Sequence, residues 1–210
     1  MEQSFDANLT EFLCSRLCHE LVGPVGAANN GIELIKELGD NQGEAFTLLA
    51  DSVELAAKRL LFYRMAYGAA GYNGLQNPEV VRDFIASICP KDKVTFTWQV
   101  SSAANELFSV HEGIGKLLLN LVVIVIDCLP RGGSFKTIVD TTGASIEATG
   151  TGARISEYVQ TALQGDFDTI PIEAATAHTI FTLRLAQRLN IGLEVTLSAK
   201  DNVKFILRAN

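Results

Sequence analysis

His19, Glu20 and Arg16 stand within about one helical turn of each other in the string Ser15-Arg16-Leu17-Cys18-His19-Glu20-Leu21-Val22-Gly23-Pro24. An exposed neutral imidazole suits nucleophilic attack on phosphorus, and histidine can itself carry a covalent intermediate. A carboxylate beside it, such as Glu20, can fix the tautomer or take the proton as attack proceeds. A guanidinium one turn away, such as Arg16, can neutralise phosphoryl oxygens. His111 and His178 lie far off in sequence, and no Ser or Cys forms an evident nucleophilic triad with these residues. Cys14, Cys18 and His19 raise a metal site as a further option. The two cysteines are one turn apart with no second ligand pair, so buried free thiols are the expectation.

On a helical wheel, Leu13, Cys14, Leu17, Leu21, Val25, Ala28, Ile32 and Ile35 share one face and form the expected core stripe. His19 points the opposite way. Ser15, Gly23 and Gly26 surround it, Phe12 and Asn30 lie further along, and Arg16 flanks it. Glycine inside a helix costs roughly 0.5–1 kcal/mol relative to Ala. Two glycines on the outer face bring no packing gain within the chain, but they bare the ring to an approaching protein. Pro24 removes a backbone hydrogen bond and is expected to kink the helix one turn after His19. An ordinary surface histidine beside a helix break fits the same residues, and the wheel alone leaves both readings open.

The elements that must position this surface follow from periodicity. Asn8 or Thr10 caps a first helix to about Glu37, Gly39-Asp40-Asn41 turns the chain, and a second helix runs from about Gln42 to Tyr67. Gly and Asn cluster in the linker over 68–77. Asn77-Pro78 starts a short helix, and Val94, Phe96, Trp98 and Val100 alternate as a strand. Ser109-x-x-Glu112 has the form of a capping box opening an apolar helix to about Cys128. Two strands, two helices and a terminal hairpin follow, giving helices on a mainly antiparallel sheet. The expectation is an α+β chain of two parts. Residues 1–71 form an antiparallel helical hairpin, and residues 72–210 an α/β sandwich.

Two helices bury an apolar stripe poorly, whereas two hairpins bury it as a four-helix bundle. A homodimer with two outward His19 sites is therefore expected. The alternative is a monomer whose hairpin is covered by its own second domain. The chain has 210 residues and a net charge of −7, which disfavours nucleic acid and anionic lipid over most of its surface. The sequence has no signal-peptide pattern, and its longest apolar run, Leu117 to Leu129, is too short to span a bilayer. A cytoplasmic protein is the expectation.

His19-Glu20-x-x-x-Pro24 matches the H-box of two-component histidine kinases, and the string from Ser15 to Leu34 resembles the ChpT family of alphaproteobacterial histidine phosphotransferases. The second part resembles a kinase ATP-binding domain that has lost its ligands. Asn120 resembles the start of the N-box, but Ile124 stands where the magnesium-binding Asn belongs. Gly150-Thr151-Gly152 resembles the glycines of the adenine box, but Ala148 replaces its Asp. Arg131-Gly132-Gly133 fits the loop after the N-box helix. Asn120 also reads as a helix residue bonded to a nearby loop, and the glycines as an ordinary turn.

The resemblance implies a phosphorelay shuttle without ATP. His19 is the phosphoacceptor, Glu20 orients the ring or acts as base, and Arg16 steadies the phosphoryl charge. Phe12, Ser15, Gly23, Gly26 and Asn30 form the docking surface. It also implies receiver domains as partners, the donor on a hybrid kinase and the acceptors on response regulators. The chain needs no cofactor of its own, because magnesium comes on the receiver. An ATP-dependent histidine kinase and a non-catalytic receiver-binding module are the competing functions.

Overall fold

The computed structural model describes residues 2–38, 43–163, 170–199 and 201–209. Helix α1 (Glu2–Leu38) and helix α2 (Gly43–Tyr67) form the hairpin. Gly31 lies against Ala45 and Leu49 while Glu20 meets Arg59, so the helices run antiparallel. The absence of a side chain at Gly31 permits the close approach: a Cβ there would come within 3.2 Å of Leu49. The turn expected at Gly39-Asp40-Asn41 lies outside the described residues.

The rest of the chain continues α3 (Ala70–Gly74), α4 (Pro78–Ile88), β1 (Val94–Val100), α5 (Ala104–Val110), α6 (Ile114–Asp127), β2 (Gly133–Val139), β3 (Gly143–Thr149), α7 (Glu157–Thr161), α8 (Ala177–Arg188), β4 (Ile191–Ala199) and β5 (Asn202–Ala209). The five strands lie in the order β1-β2-β3-β5-β4; β1 and β2 are parallel and the other pairs antiparallel. The chain is thus α+β, with a mixed sheet that is mainly antiparallel. Alternation sends Phe135, Thr137 and Val139, Ala144, Ile146 and Ala148, and Val203, Phe205 and Leu207 to one buried face. That face meets α6, whose residues Ile114–Val125 are all buried.

Asn77 caps α4 by accepting the Glu79 N–H at 2.8 Å, with Pro78 in the first turn, as the dipeptide predicts. The capping box at Ser109 is not formed. Ser109 lies in α5 and its hydroxyl donates to the Glu106 carbonyl. The chain instead turns through Gly113, at φ +94°, and α6 leaves α5 at 106°. A left-handed glycine makes this corner where a capped serine cannot. No single helix among the described residues is long and apolar enough to cross a membrane.

The hairpin and the sheet share a core. Phe62, Tyr63, Met65 and Ala66 of α2 join the same buried cluster as α4, α6 and the strands, and Leu17 of α1 packs on it. A second cluster sets Leu9 of α1 against Ala162, Ile170, Ala177, Ile180 and Leu183. Polar contacts fix the same seam. The Lys116 ammonium donates to the carbonyls of Tyr67 and Gly68 at 3.1 and 2.9 Å. The Asn120 amide donates to the Ala66 carbonyl at 2.7 Å. These bonds occupy the carbonyls that a helix leaves open at its C-terminus.

Candidate functional site on helix α1

His19 is exposed, and among the described residues it makes no hydrogen bond or ion pair. Ser15 before it and Gly23, Gly26 and Asn30 after it recur at steps of three or four and so share its side of the helix. Ser15, Gly23 and Asn30 are exposed and Gly26 is half-buried. A Cβ at Gly23 or Gly26 would meet nothing within 4 Å. The two glycines therefore serve no packing inside the chain, and the space beside the imidazole is open. Pro24 does not end the helix, for α1 continues through it to Leu38.

The neighbours expected to assist the imidazole are turned elsewhere. Arg16, expected to steady a phosphoryl group, places Nη2 at 2.8 Å from the Asp127 carboxylate at the end of α6. Burial disfavours its charge, but Asp127 outweighs that and holds the guanidinium more firmly protonated than usual. Arg16 is thus a strut between the hairpin and the second part. Glu20, expected to orient the ring, instead pairs with Arg59 of α2, Nη1 to Oε2 at 3.0 Å. Consecutive helix residues diverge by about 100°, which explains why Glu20 does not reach its neighbour's ring. Phe12, expected at the docking surface, is half-buried against the second cluster beside Leu9 and Ile180. Its apolar area is largely spent inside the chain.

Neither residue type nor spacing marks Arg59 in the sequence. Its Nη1 also donates to the backbone carbonyl of Glu20 at 2.6 Å. The signal lay in Pro24. A proline at position 24 has no N–H for the carbonyl of residue 20, so a donor must come from outside the helix. Leaving such a group unpaired in a half-buried place costs about 1–3 kcal/mol.

The two exposed thiols are a further correction. Cys14 and Cys18 are exposed, whereas Cys89 and Cys128 are buried. Burial pushes the Cys89 and Cys128 thiols up to about 12. Among the described residues no group of three or more His, Cys, Asp or Glu could hold a metal ion.

Ile124, where the sequence resemblance puts a magnesium ligand, borders a cavity of about 220 Å3 that is also lined by Asp127, Cys128, Val159, His178 and Thr179 among others. That is below the roughly 300–1,000 Å3 usual for small-molecule sites. Ile124 offers a magnesium ion no oxygen, and the wall carboxylate Asp127 is already paired with Arg16. Ala148 is buried in β3 and carries no acceptor for an adenine amino group. These residues do not fit a magnesium nucleotide. Gly150 has a packing reason, since a Cβ there would lie 2.3 Å from the Gly132 carbonyl oxygen. Gly152 turns at φ +75° and donates its N–H to Asp201.

An exposed imidazole on a helical hairpin joined to an α/β domain is an arrangement suited to a histidine phosphotransfer protein. The family profile described as "Histidine phosphotransferase C-terminal domain" matches residues 79–201. The chain is 32% identical to "Protein phosphotransferase ChpT" of Brucella abortus (strain 2308) over 201 residues, 93% of each chain. It superposes on a bacterial phosphotransferase solved at 1.7 Å with a TM-score of 0.76, at 28% identity and over 96% of each chain. The chain belongs to the ChpT family of histidine phosphotransferases.

Proposed function

We propose that His19 carries the phosphoryl group of a two-component phosphorelay between aspartates of receiver domains, with no nucleotide involved. A receiver bearing aspartyl phosphate docks on the outer face of α1. The imidazole lone pair attacks phosphorus, the N–P bond forms as the P–O bond to aspartate breaks, and the carboxylate leaves with the electron pair. A second receiver reverses the step with its own aspartate. The transition state is loose, so positioning and charge neutralisation supply most of the catalysis. Magnesium belongs to the receiver in this scheme.

The observation that carries this reading is the exposed, unbonded His19 beside helix positions left open by Gly23 and Gly26. Labelled phosphoreceiver mixed with the chain should give an acid-labile label on His19. Labelled ATP with Mg2+ alone should give none, and labelling under those conditions overturns the ATP-independent scheme. The same reading carries a cytoplasmic location, which suits exposed free thiols at Cys14 and Cys18.

The proposal includes a homodimer. Phe46, Val53 and Leu60 recur every seven residues along α2 and are 52%, 53% and 53% exposed. Val25 and Ile32 repeat the spacing on α1, at 50% and 40%. A heptad of exposed apolar residues suits a second hairpin packed as a bundle. Leu17, by contrast, packs on the chain's own core, so a charge there would test folding before assembly. Leu60→Asp is the cleaner probe, since an unpaired carboxylate in a bundle core is costly. Light scattering should show the mass halved; an unchanged dimer mass counts against this face.

A further inference from the structure

We propose that Arg59 is a positioning residue for phosphotransfer, holding the peptide and the carboxylate of Glu20 so that His19 stays open to an incoming phosphoryl group. The inference rests on the reading of His19 as phosphoacceptor. It starts from a backbone deficit. Within α1 the carbonyl of Glu20 should accept the N–H of residue 24, and Pro24 has none. Arg59, on the facing helix, supplies the missing donor at 2.6 Å. The same nitrogen pairs with the Glu20 carboxylate at 3.0 Å. One guanidinium thus fixes both the main chain and the side chain of the residue that follows His19.

Each bond has a consequence at the imidazole. The carbonyl bond ties the turn of α1 that carries His19 to α2, just where proline would let it loosen. The ion pair draws the Glu20 carboxylate toward α2 and neutralises it. A free carboxylate beside the ring would repel the negatively charged phosphoryl oxygens. Arginine suits the place because the two N–H groups of Nη1 are fixed in the guanidinium plane and can be aimed at the two Glu20 oxygens together, whereas a lysine ammonium is a point charge on a flexible stem. Arg59 touches neither the reacting nitrogen nor the phosphoryl group, so its effect passes through Glu20.

The test is a set of single-turnover transfers from a phosphorylated receiver to the full chain. Arg59→Ala should slow the saturating rate by roughly 10- to 100-fold, the scale of small misplacements at a reacting centre. The receiver concentration giving half-maximal rate should move by less than about threefold, because the outer face is untouched. In a Pro24→Ala background the N–H of residue 24 returns to the Glu20 carbonyl, and in a Glu20→Gln background the charge is gone. The Arg59→Ala penalty should shrink in both. Equal penalties in all three backgrounds would overturn the proposal, as would a saturating rate unchanged by Arg59→Ala.

Circular dichroism verifies that the helices form. Should Arg59→Ala not fold, Arg59→Lys takes its place, with a partial loss expected and full activity overturning the proposal. A final readout needs no receiver. The carbonyl 13C resonance of Glu20 should shift in Arg59→Ala and return in Pro24→Ala/Arg59→Ala; no shift overturns the bond itself. Label appearing on a residue other than His19 would instead overturn the phosphoacceptor reading, leaving the carbonyl result standing.

Discussion

His19→Ala should abolish acceptance of the phosphoryl group, by on the order of 10³-fold or more, as removal of a covalent nucleophile does. The measurement is the acid-labile label on the chain after mixing with a phosphorylated receiver. The size of the effect follows from the surroundings of the ring. The other two histidines cannot substitute: His178 is 2% exposed, and His111 follows α5 in the other part of the chain. Receiver binding should persist, because Ser15, Gly23, Gly26 and Asn30 keep their places on the face. His19→Gln, which keeps a polar side chain of similar reach, should be equally inactive. Full transfer by either variant would mean that the chemistry lies elsewhere. Binding without transfer even in the wild type would make the chain a receiver-binding module.

The parts of this site that were legible in the sequence are the local ones. His19, the flanking glycines and Pro24 conflict with helix propensity within one short segment, and such a conflict can be read without knowing what the segment touches. The Asn77-Pro78 start of α4 and the alternation of β1 were equally local, and both elements formed. What could not be read depends on contacts across the chain. Arg16 meets Asp127, 111 residues away, and Arg59 meets Glu20, 39 residues away. A helical wheel places Arg16 beside His19 but says nothing of a carboxylate arriving from α6.

The wheel also treats a face as uniformly inward. On α1 it grouped Leu17 with Cys14, Val25 and Ile32, yet Leu17 packs on the core while the other three are exposed. The stripe is divided between the chain's own second part and a face left for another hairpin. Ser109 failed for a different reason. The sequence form of a capping box is met by a serine already inside a helix, and the glycine corner at Gly113 determines where α6 begins.

Acid should destabilise the chain through one buried histidine. His178 bridges the seam between the hairpin and α6. Its Nε2 lies 2.9 Å from the Asn120 backbone carbonyl, and its Nδ1 lies 3.1 Å from the Tyr67 hydroxyl. A carbonyl only accepts, so Nε2 carries the proton and Nδ1 accepts from Tyr67. The neutral ring satisfies both bonds, whereas a protonated Nδ1 would face a hydroxyl that must then reverse. Burial, and next the positive charge of Arg16, push the imidazole down to about 3, while the Asn120 carbonyl opposes the shift. The unfolded chain has the ordinary value near 6.5. Between these values the unfolded state holds the extra proton, so stability is full above pH 6.5 and falls as pH drops toward 3. The slope approaches about 1.4 kcal/mol per pH unit, or roughly 2–3 kcal/mol by pH 4.5. Urea unfolding at pH 7.5, 5.5 and 4.5 should show the decline, with His178→Gln less stable at pH 7.5 but markedly flatter below it. An equal decline in that variant would assign the acid sensitivity to other groups. The seam is where this loss matters, because the same ring that fails in acid helps hold α2, and with it Arg59, against the rest of the chain.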